Sequence, residues 1–307
     1  MRGSSAGILT FTSLMLCIAS AARAQELVPR AYVVTPVTSN AIGVSYARLD
    51  GSLEFAGLPI TEAKATVNLP ALSYYHSFSL LGRSANAAVV LPYGIGTFQG
   101  LVAEAPRLAH RAGFLDSAAR VSMNLLGGRA LDTTEFAKWD QKALLGISFT
   151  VYAPTGQYAP TRLINYGSNR WAFRPEVGYS QRWGHWVLDG YFAATFFTHN
   201  DEFFVHNNRA EKPIEAVETH LSYDFGRRAW ISLDANFWRG GETSLNGVSN
   251  PLANQKSSRV GLTVAVPFTP HQSLKISYSN GAYVRYGGNY QSVSFTWQYA
   301  WIGWRFY

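Results

Sequence analysis

One stretch brings side chains of catalytic type to a spacing that chemistry can use. In "VETHLSYD" (217–224), Glu218, His220, Ser222 and Asp224 recur at every second position. On an extended strand such residues share one face, so a base, a hydroxyl and two carboxylates stand in a row, as nucleophilic hydrolysis requires. Neighbouring runs carry more charge on their own polar parity: Arg174, Glu176 and Arg182, then Asp189 with Tyr191, then Asp234 with Trp238, then Arg259 and Lys275. Together these make a face of mixed sign rather than a solitary triad. A second cluster, Asn200, Asp201 and Glu202 in "HNDEFF", offers oxygen ligands for a hard cation. It lacks the DxDxD spacing of a calcium loop, which favours a solvated acidic loop. The seven His are scattered without ligand spacing, so neither a metal nor a cofactor is expected.

What must position these residues is a succession of strands. Leu145, Ile147, Phe149 and Val151 alternate with small or polar residues. So do Trp171, Phe173, Val177 and Tyr179; Trp186, Leu188, Phe192 and Phe196; and Val217, Leu221, Tyr223 and Phe225. Ile231, Leu233 and Phe237, then Val260, Leu262, Val264 and Val266, then Leu274, Ile276 and Tyr278 continue the period of two. Further runs fall near 40–50, 65–79, 85–97 and 113–126, and at the end "SVSFTWQYAW" (292–301) sets Val293, Phe295, Trp297, Tyr299 and Trp301 against Ser, Thr, Gln and Ala. That makes about twelve strands. Short connections near 81–84, 183–185, 226–228 and 267–271 alternate with long ones near 51–64, 98–112, 156–169, 199–213, 240–256 and 281–288. One longer link, 127–141, carries "TTEFAKW", which suggests a brief helix.

The chain starts "MRGSSAGILTFTSLMLCIASAARA" (1–24): a charged start, an apolar core and a small-x-small site. It reads as a signal peptide, leaving residues 25–307 as one domain. The only cysteine, Cys17, lies in that leader, so the exported chain has no disulfide. Beyond the leader no apolar stretch is long enough for a transmembrane helix. The net charge of +7 is dispersed without a Lys/Arg block, which argues against nucleic acid.

A soluble sandwich would carry abundant charge on its wet faces, whereas charged residues make up 15% of this chain and aromatic residues 14%. Alternating strands, alternating loop lengths and Trp at strand ends describe an all-β fold: a transmembrane antiparallel up-and-down β-barrel of about twelve strands. Phe295, Trp297, Tyr299 and Trp301 then face outer-membrane lipid, and the last strand pairs with the first, "NAIGVSYARLD", because only closure satisfies every backbone group in a bilayer. The parity also predicts that Arg at Leu262 or Val264 is costly and Arg at Thr263 better tolerated. The terminal Tyr307 resembles the aromatic ending that the barrel-assembly machinery reads in outer-membrane proteins.

The segments "PALSYYHSFSLLGRSANAAVVLPY" (70–93), "YAPTGQYAPTRLINYGSNRWAFRPEVGYSQ" (152–181), "LDGYFAATFFTHNDEFF" (188–204), "HLSYDFGRRAWISLDANFWRGGETSLNG" (220–247) and "SSRVGLTVAVPF" (257–268) resemble a family of outer-membrane transporters, the MetA-pathway of phenol degradation family. The resemblance implies a barrel for uptake of hydrophobic or aromatic compounds, and no catalytic residue.

Function therefore falls to the lumen. Arg174, Glu176, Asp189, Tyr191, Glu218, His220, Asp224, Asp234 and Trp238 are expected to line it, as a pore for small molecules, aromatic ones included, or as salt-bridged bracing. The alternative is a closed structural or adhesive barrel, since twelve strands are few enough for inward side chains or segment 25–40 to fill the bore. A lipid hydrolase is disfavoured because His220 and Ser222 face the lumen, away from the bilayer.

Overall fold

The computed structural model describes residues 27–54, 60–162, 164–204, 206–225 and 229–303. The expected signal peptide and the terminal Tyr307 lie outside them. Seventeen strands form in chain order: β1 (Ser39–Glu54), β2 (Ile60–Leu80), β3 (Arg83–Val102), β4 (Ala105–Phe114), β5 (Ala118–Leu126), β6 (Ala143–Tyr152), β7 (Ala172–Trp183), β8 (Trp186–Phe197), β9 (Asn200–Phe203), β10 (Asn207–Glu211), β11 (Ile214–Asp224), β12 (Trp230–Gly240), β13 (Thr243–Leu245), β14 (Val248–Asn250), β15 (Gln255–Pro267), β16 (Gln272–Val284) and β17 (Gly287–Ile302).

Apart from β9, β10, β13 and β14, neighbouring strands pair antiparallel around a ring, and β1 closes it by pairing with β17 from Ser39↔Ile302 to Glu54↔Gly287. β5 pairs with the first half of β3 and β4 with the second, so the two act as one interrupted strand. The result is a closed twelve-strand barrel. Strands β9, β10, β13 and β14 form a separate four-stranded sheet from the long connections. The 127–141 link carries the expected helix, α1 (Thr133–Ala137), which starts with a capping box between Asp132 and Glu135.

Three of the expected long loops are instead strand. Residues 51–54, 60–64, 98–102, 105–112, 281–284 and 287–288 extend β1, β2, β3, β4, β16 and β17 as tall hairpins. Their signal was lost because above Tyr46 the outer face turns polar, through Arg48, Asp50, Asn68, Thr66 and Lys64. Water replaces lipid as the neighbour there, and the apolar/polar alternation fades.

Lower down the alternation is intact. Phe295, Trp297 and Tyr299 are exposed on β17 beside Ile42, Val44 and Tyr46 of β1, and Leu262, Leu233 and Leu221 are exposed further round. These outward side chains are what lipid covers. Rings gather at both rims: Trp186, Tyr223 and Phe225 in edge contact at 4.8 and 5.3 Å, and Tyr74, Trp301 and Tyr299 near the chain ends. At the opposite rim Phe149, Phe173 and Trp171 stack in series, and Tyr93 meets Phe114. Amphipathic rings settle at such boundaries, so the chain is an outer-membrane barrel.

Candidate functional site

The lumen is built as two unlike halves. On β6, β7, β8, β11, β12 and β15 the inward residues are buried almost without exception, through Ser148, Arg174, Asp189, Tyr191, Glu218, His220, Asp234, Asn236, Arg259 and Thr263. On β16, β17, β1 and β2 the inward residues Ser277, Ser279, Ser292, Ser294, Thr296, Ser45, Ala47, Ala71 and Ser73 keep solvent contact. Apart from Tyr75, Lys275 and Gln298, the side chains on that second wall at this depth are too short to reach across the bore.

What fills the first half is the segment before β1. Arg30 donates its backbone N–H to Asp189 at 3.2 Å and its guanidinium to Asp224 at 2.5 Å, and lies 4.6 Å over the ring of Trp230. The Ala31 N–H reaches the Tyr191 hydroxyl at 3.0 Å. Tyr32 is 2% exposed. Its hydroxyl donates to Glu176 at 2.9 Å and meets Ser148 at 3.2 Å, its ring edge meets Tyr191 at 5.4 Å, and Arg120 sits 5.1 Å above it. Two glycines make the seat: a Cβ on Gly146 or Gly178 would fall 2.2 Å from Tyr32 ring atoms. Val34 then packs with Leu131 and Leu144 against Phe136 and Trp139 of the α1 link, and the Val37 N–H bonds the Leu131 carbonyl at 2.8 Å. The link and the segment thus form one floor beneath the barrel.

Behind the segment runs a charge network. Arg174 bridges Glu218 at 2.6 Å and Glu176 at 3.2 Å. His220 Nδ1 lies 2.8 Å from Asp234, which also accepts from Ser232 at 2.6 Å and Thr263 at 2.7 Å. Arg182 closes on Asp224 at 2.6 Å. The nine residues expected to line a pore all face inward, yet all stand in the filled half. Buried charges are stable only when paired, and each of these has an ionic or hydrogen-bond partner in the network. Tyr191 and Trp238, the two rings among them, are buried as well; the Trp238 Nε1–H donates to Gln255 at 2.9 Å. Thr263→Arg is therefore not the tolerant substitution its parity suggests, because Thr263 is 1% exposed and its hydroxyl is spent on Asp234. His220 and Ser222 are fully buried behind the same network, with the His220 ring held by Asp234.

At the outer mouth the hairpin wall is apolar inside. Val67, Phe98 and Tyr166 form a buried cluster with Leu49, Ala65, Leu69, Leu115 and Ile164. Burial pushes the Tyr166 hydroxyl up to about 12. The connection bearing Tyr166 is pinned by Asp116, which accepts from Gly156 N–H at 3.0 Å and from Ser168 N–H and hydroxyl at 3.0 and 2.5 Å. Against the outer sheet Arg170, just before β7, pairs with Glu211 of β10 and lies 4.4 Å over Phe197, while within the sheet Arg209 lies 5.4 Å over Phe203. Asn200 is buried, donating to Tyr158 and Ser168, and Asp201 accepts from Asn208. Among the described residues no group of three His, Cys, Asp or Glu side chains is placed to share a metal. Tyr32, Arg120 and the mouth cluster escape sequence reading because none belongs to a charged or catalytic pattern; Gly146 and Gly178, on the parity of the small residues, are the one trace of the seat.

A family model described as "Putative MetA-pathway of phenol degradation" matches residues 53–297. The fold is similar to that of the COG4313 outer membrane channel from Pseudomonas putida F1, with a TM-score of 0.77 at 20% identity, covering 90% of this chain and 100% of that one. It is more distantly similar to the translocator domain of the autotransporter NalP from Neisseria meningitidis, with a TM-score of 0.54 at 12% identity over 88% of this chain and 90% of that one. No curated protein matches the chain.

Proposed function

Since the chain belongs to the MetA-pathway of phenol degradation family, we propose that it is a passive outer-membrane channel that admits small hydrophobic or aromatic molecules along the half of its lumen left clear. The observation that carries this reading is the division of the bore. A barrel serving only as structure gains nothing from a wall of Ser, Ala and Thr that keeps solvent contact, whereas a conduit needs one. The partly exposed apolar side chains around the mouth cluster, Leu49, Leu69 and Leu115, support an apolar solute, which gains about 25 cal/mol for each Å² it takes from water there. The small-residue wall then gives it a smooth surface with hydroxyls to replace lost hydration. Passage is downhill, with no cofactor, and the aromatic end at Tyr307 suits insertion by the barrel-assembly machinery.

Planar-bilayer conductance of the refolded protein, with benzoate or phenol added to one side, tests this. Discrete openings that the aromatic solute blocks or permeates are the expected result. A folded barrel that stays silent, in liposome swelling as well, supports the closed structural or adhesive alternative, for which the outer four-stranded sheet offers a surface.

A further inference from the structure

The charges on the clear wall of the lumen and on the strands that border it, β3 and β5, are of one sign. Among the described inward residues of β16, β17, β1, β2, β3 and β5 there is no Asp or Glu; the charged side chains at the depth of the barrel wall are Arg120 on β5 and Lys275 on β16. The carboxylates all lie in the other half, each held by partners already named.

Arg120 stands on the border between the halves. It is in register with Ala88 of β3, which is in register with Tyr75 of β2, so a small residue separates the cation from a ring. The Tyr75 hydroxyl is tied to Thr35 of the inserted segment at 2.7 Å, and the guanidinium covers Tyr32. Its side chain remains 24% exposed. Glu176 Oε1 is 3.5 Å from Arg120 Nη2, which makes no hydrogen bond, because that carboxylate is engaged by Tyr32 and Arg174. Arg120 is therefore a cation stacked on one ring, that of Tyr32, with Nη2 buried 3.5 Å from Glu176 and the rest of its side chain partly exposed at the border of the clear passage. An arginine in that state is suited to a carboxylate, which its planar fork matches.

We propose that the passage is anion-selective, that Arg120 is its specificity-determining residue, and that the solutes it favours are small organic carboxylates, with a ring fitting beside Tyr75 over Ala88. This deepens the channel reading and rests on it.

The test is the reversal potential of the reconstituted full barrel in a KCl gradient, followed by liposome swelling in benzoate and in uncharged benzyl alcohol. A unit charge about 5 Å from the path of an ion in water changes the local ion concentration about fourfold, in opposite senses for the two signs. Wild type is expected to favour chloride, and Arg120→Gln to lower the chloride-to-potassium permeability ratio by roughly tenfold. Arg120→Lys should keep most of the selectivity, and only benzoate entry should slow in Arg120→Gln. If Arg120→Gln fails to fold, Lys275→Gln, expected to lower the ratio in the same sense, carries the comparison with wild type. A cation-preferring wild type, or a ratio unmoved by the substitution in a folded barrel, overturns the assignment while leaving the channel intact. A silent wild-type barrel overturns both.

Discussion

The seat of Tyr32 gives a perturbation that separates the inserted segment from the barrel. A Cβ added at Gly146 or Gly178 would lie 2.2 Å from ring atoms, well inside the shortest ordinary carbon contact of about 3.5 Å. The ring has nowhere to retreat, since Tyr191 stands 5.4 Å from it and Arg120 5.1 Å, centre to centre. Gly146→Ala with Gly178→Ala should therefore expel Tyr32. Removing a buried ring of this size typically costs about 3–5 kcal/mol, a change of two to three powers of ten or more in the docked population at about 1.4 kcal/mol per power. The barrel itself should not weaken, because replacing Gly by Ala within a strand stabilises by about 0.5–1 kcal/mol. Brief trypsin treatment reads the first effect: Arg30, bonded to Asp189 and Asp224 in the docked state, becomes cleavable, and mass spectrometry finds the shortened chain. Single-channel conductance rises in the same preparation, and the heat-unfolding midpoint of the barrel stays or increases. An uncut Arg30 and wild-type conductance in a folded double variant would refute the placement of the segment.

The charge network predicts a contrast between the two halves. Glu218→Ala leaves Arg174, bonded to it at 2.6 Å, under-compensated in a buried site; it should cost about 3–5 kcal/mol in urea unfolding, while Ser292→Ala on the clear wall stays within about 0.5 kcal/mol. On the outside, Leu262→Arg should cost about 2–4 kcal/mol in lipid, and Ser294→Arg, which faces the clear bore, far less; equal costs for the two would contradict the parity. Asp116→Ala removes the acceptor of three loop hydrogen bonds and should speed amide hydrogen exchange across residues 153–171 without lowering barrel stability.

Most of the barrel was legible because lipid imposes a period of two on every strand that touches it, from Leu145 to Trp301. The same rule explains where reading stopped. Above the membrane, Arg48, Asp50 and Thr66 replace apolar residues on the outer face, so the tall hairpins looked like loops. Inside, parity tells which side chains point to the lumen but not which stretch of lumen they meet. Asp189, Tyr191, Glu218 and His220 share the inward parity and are buried, yet only the path of residues 27–38 brings them into a filled half. That path leaves no periodic trace, since Arg30, Tyr32 and Val34 each contact a different element.

The division of the lumen is the central claim, and cysteine accessibility tests it most directly, because the chain beyond residue 17 contains no cysteine. Single cysteines at Ser45, Ala71 and Ser294 on one wall, and at Ser148, Ser222 and Thr263 on the other, are exposed to a small water-soluble methanethiosulfonate while current is recorded. Rapid modification with a stepwise fall in conductance at the first three positions, and none at the second three, is the predicted result. Equal reaction of both sets, or reaction of the second set alone, would contradict it.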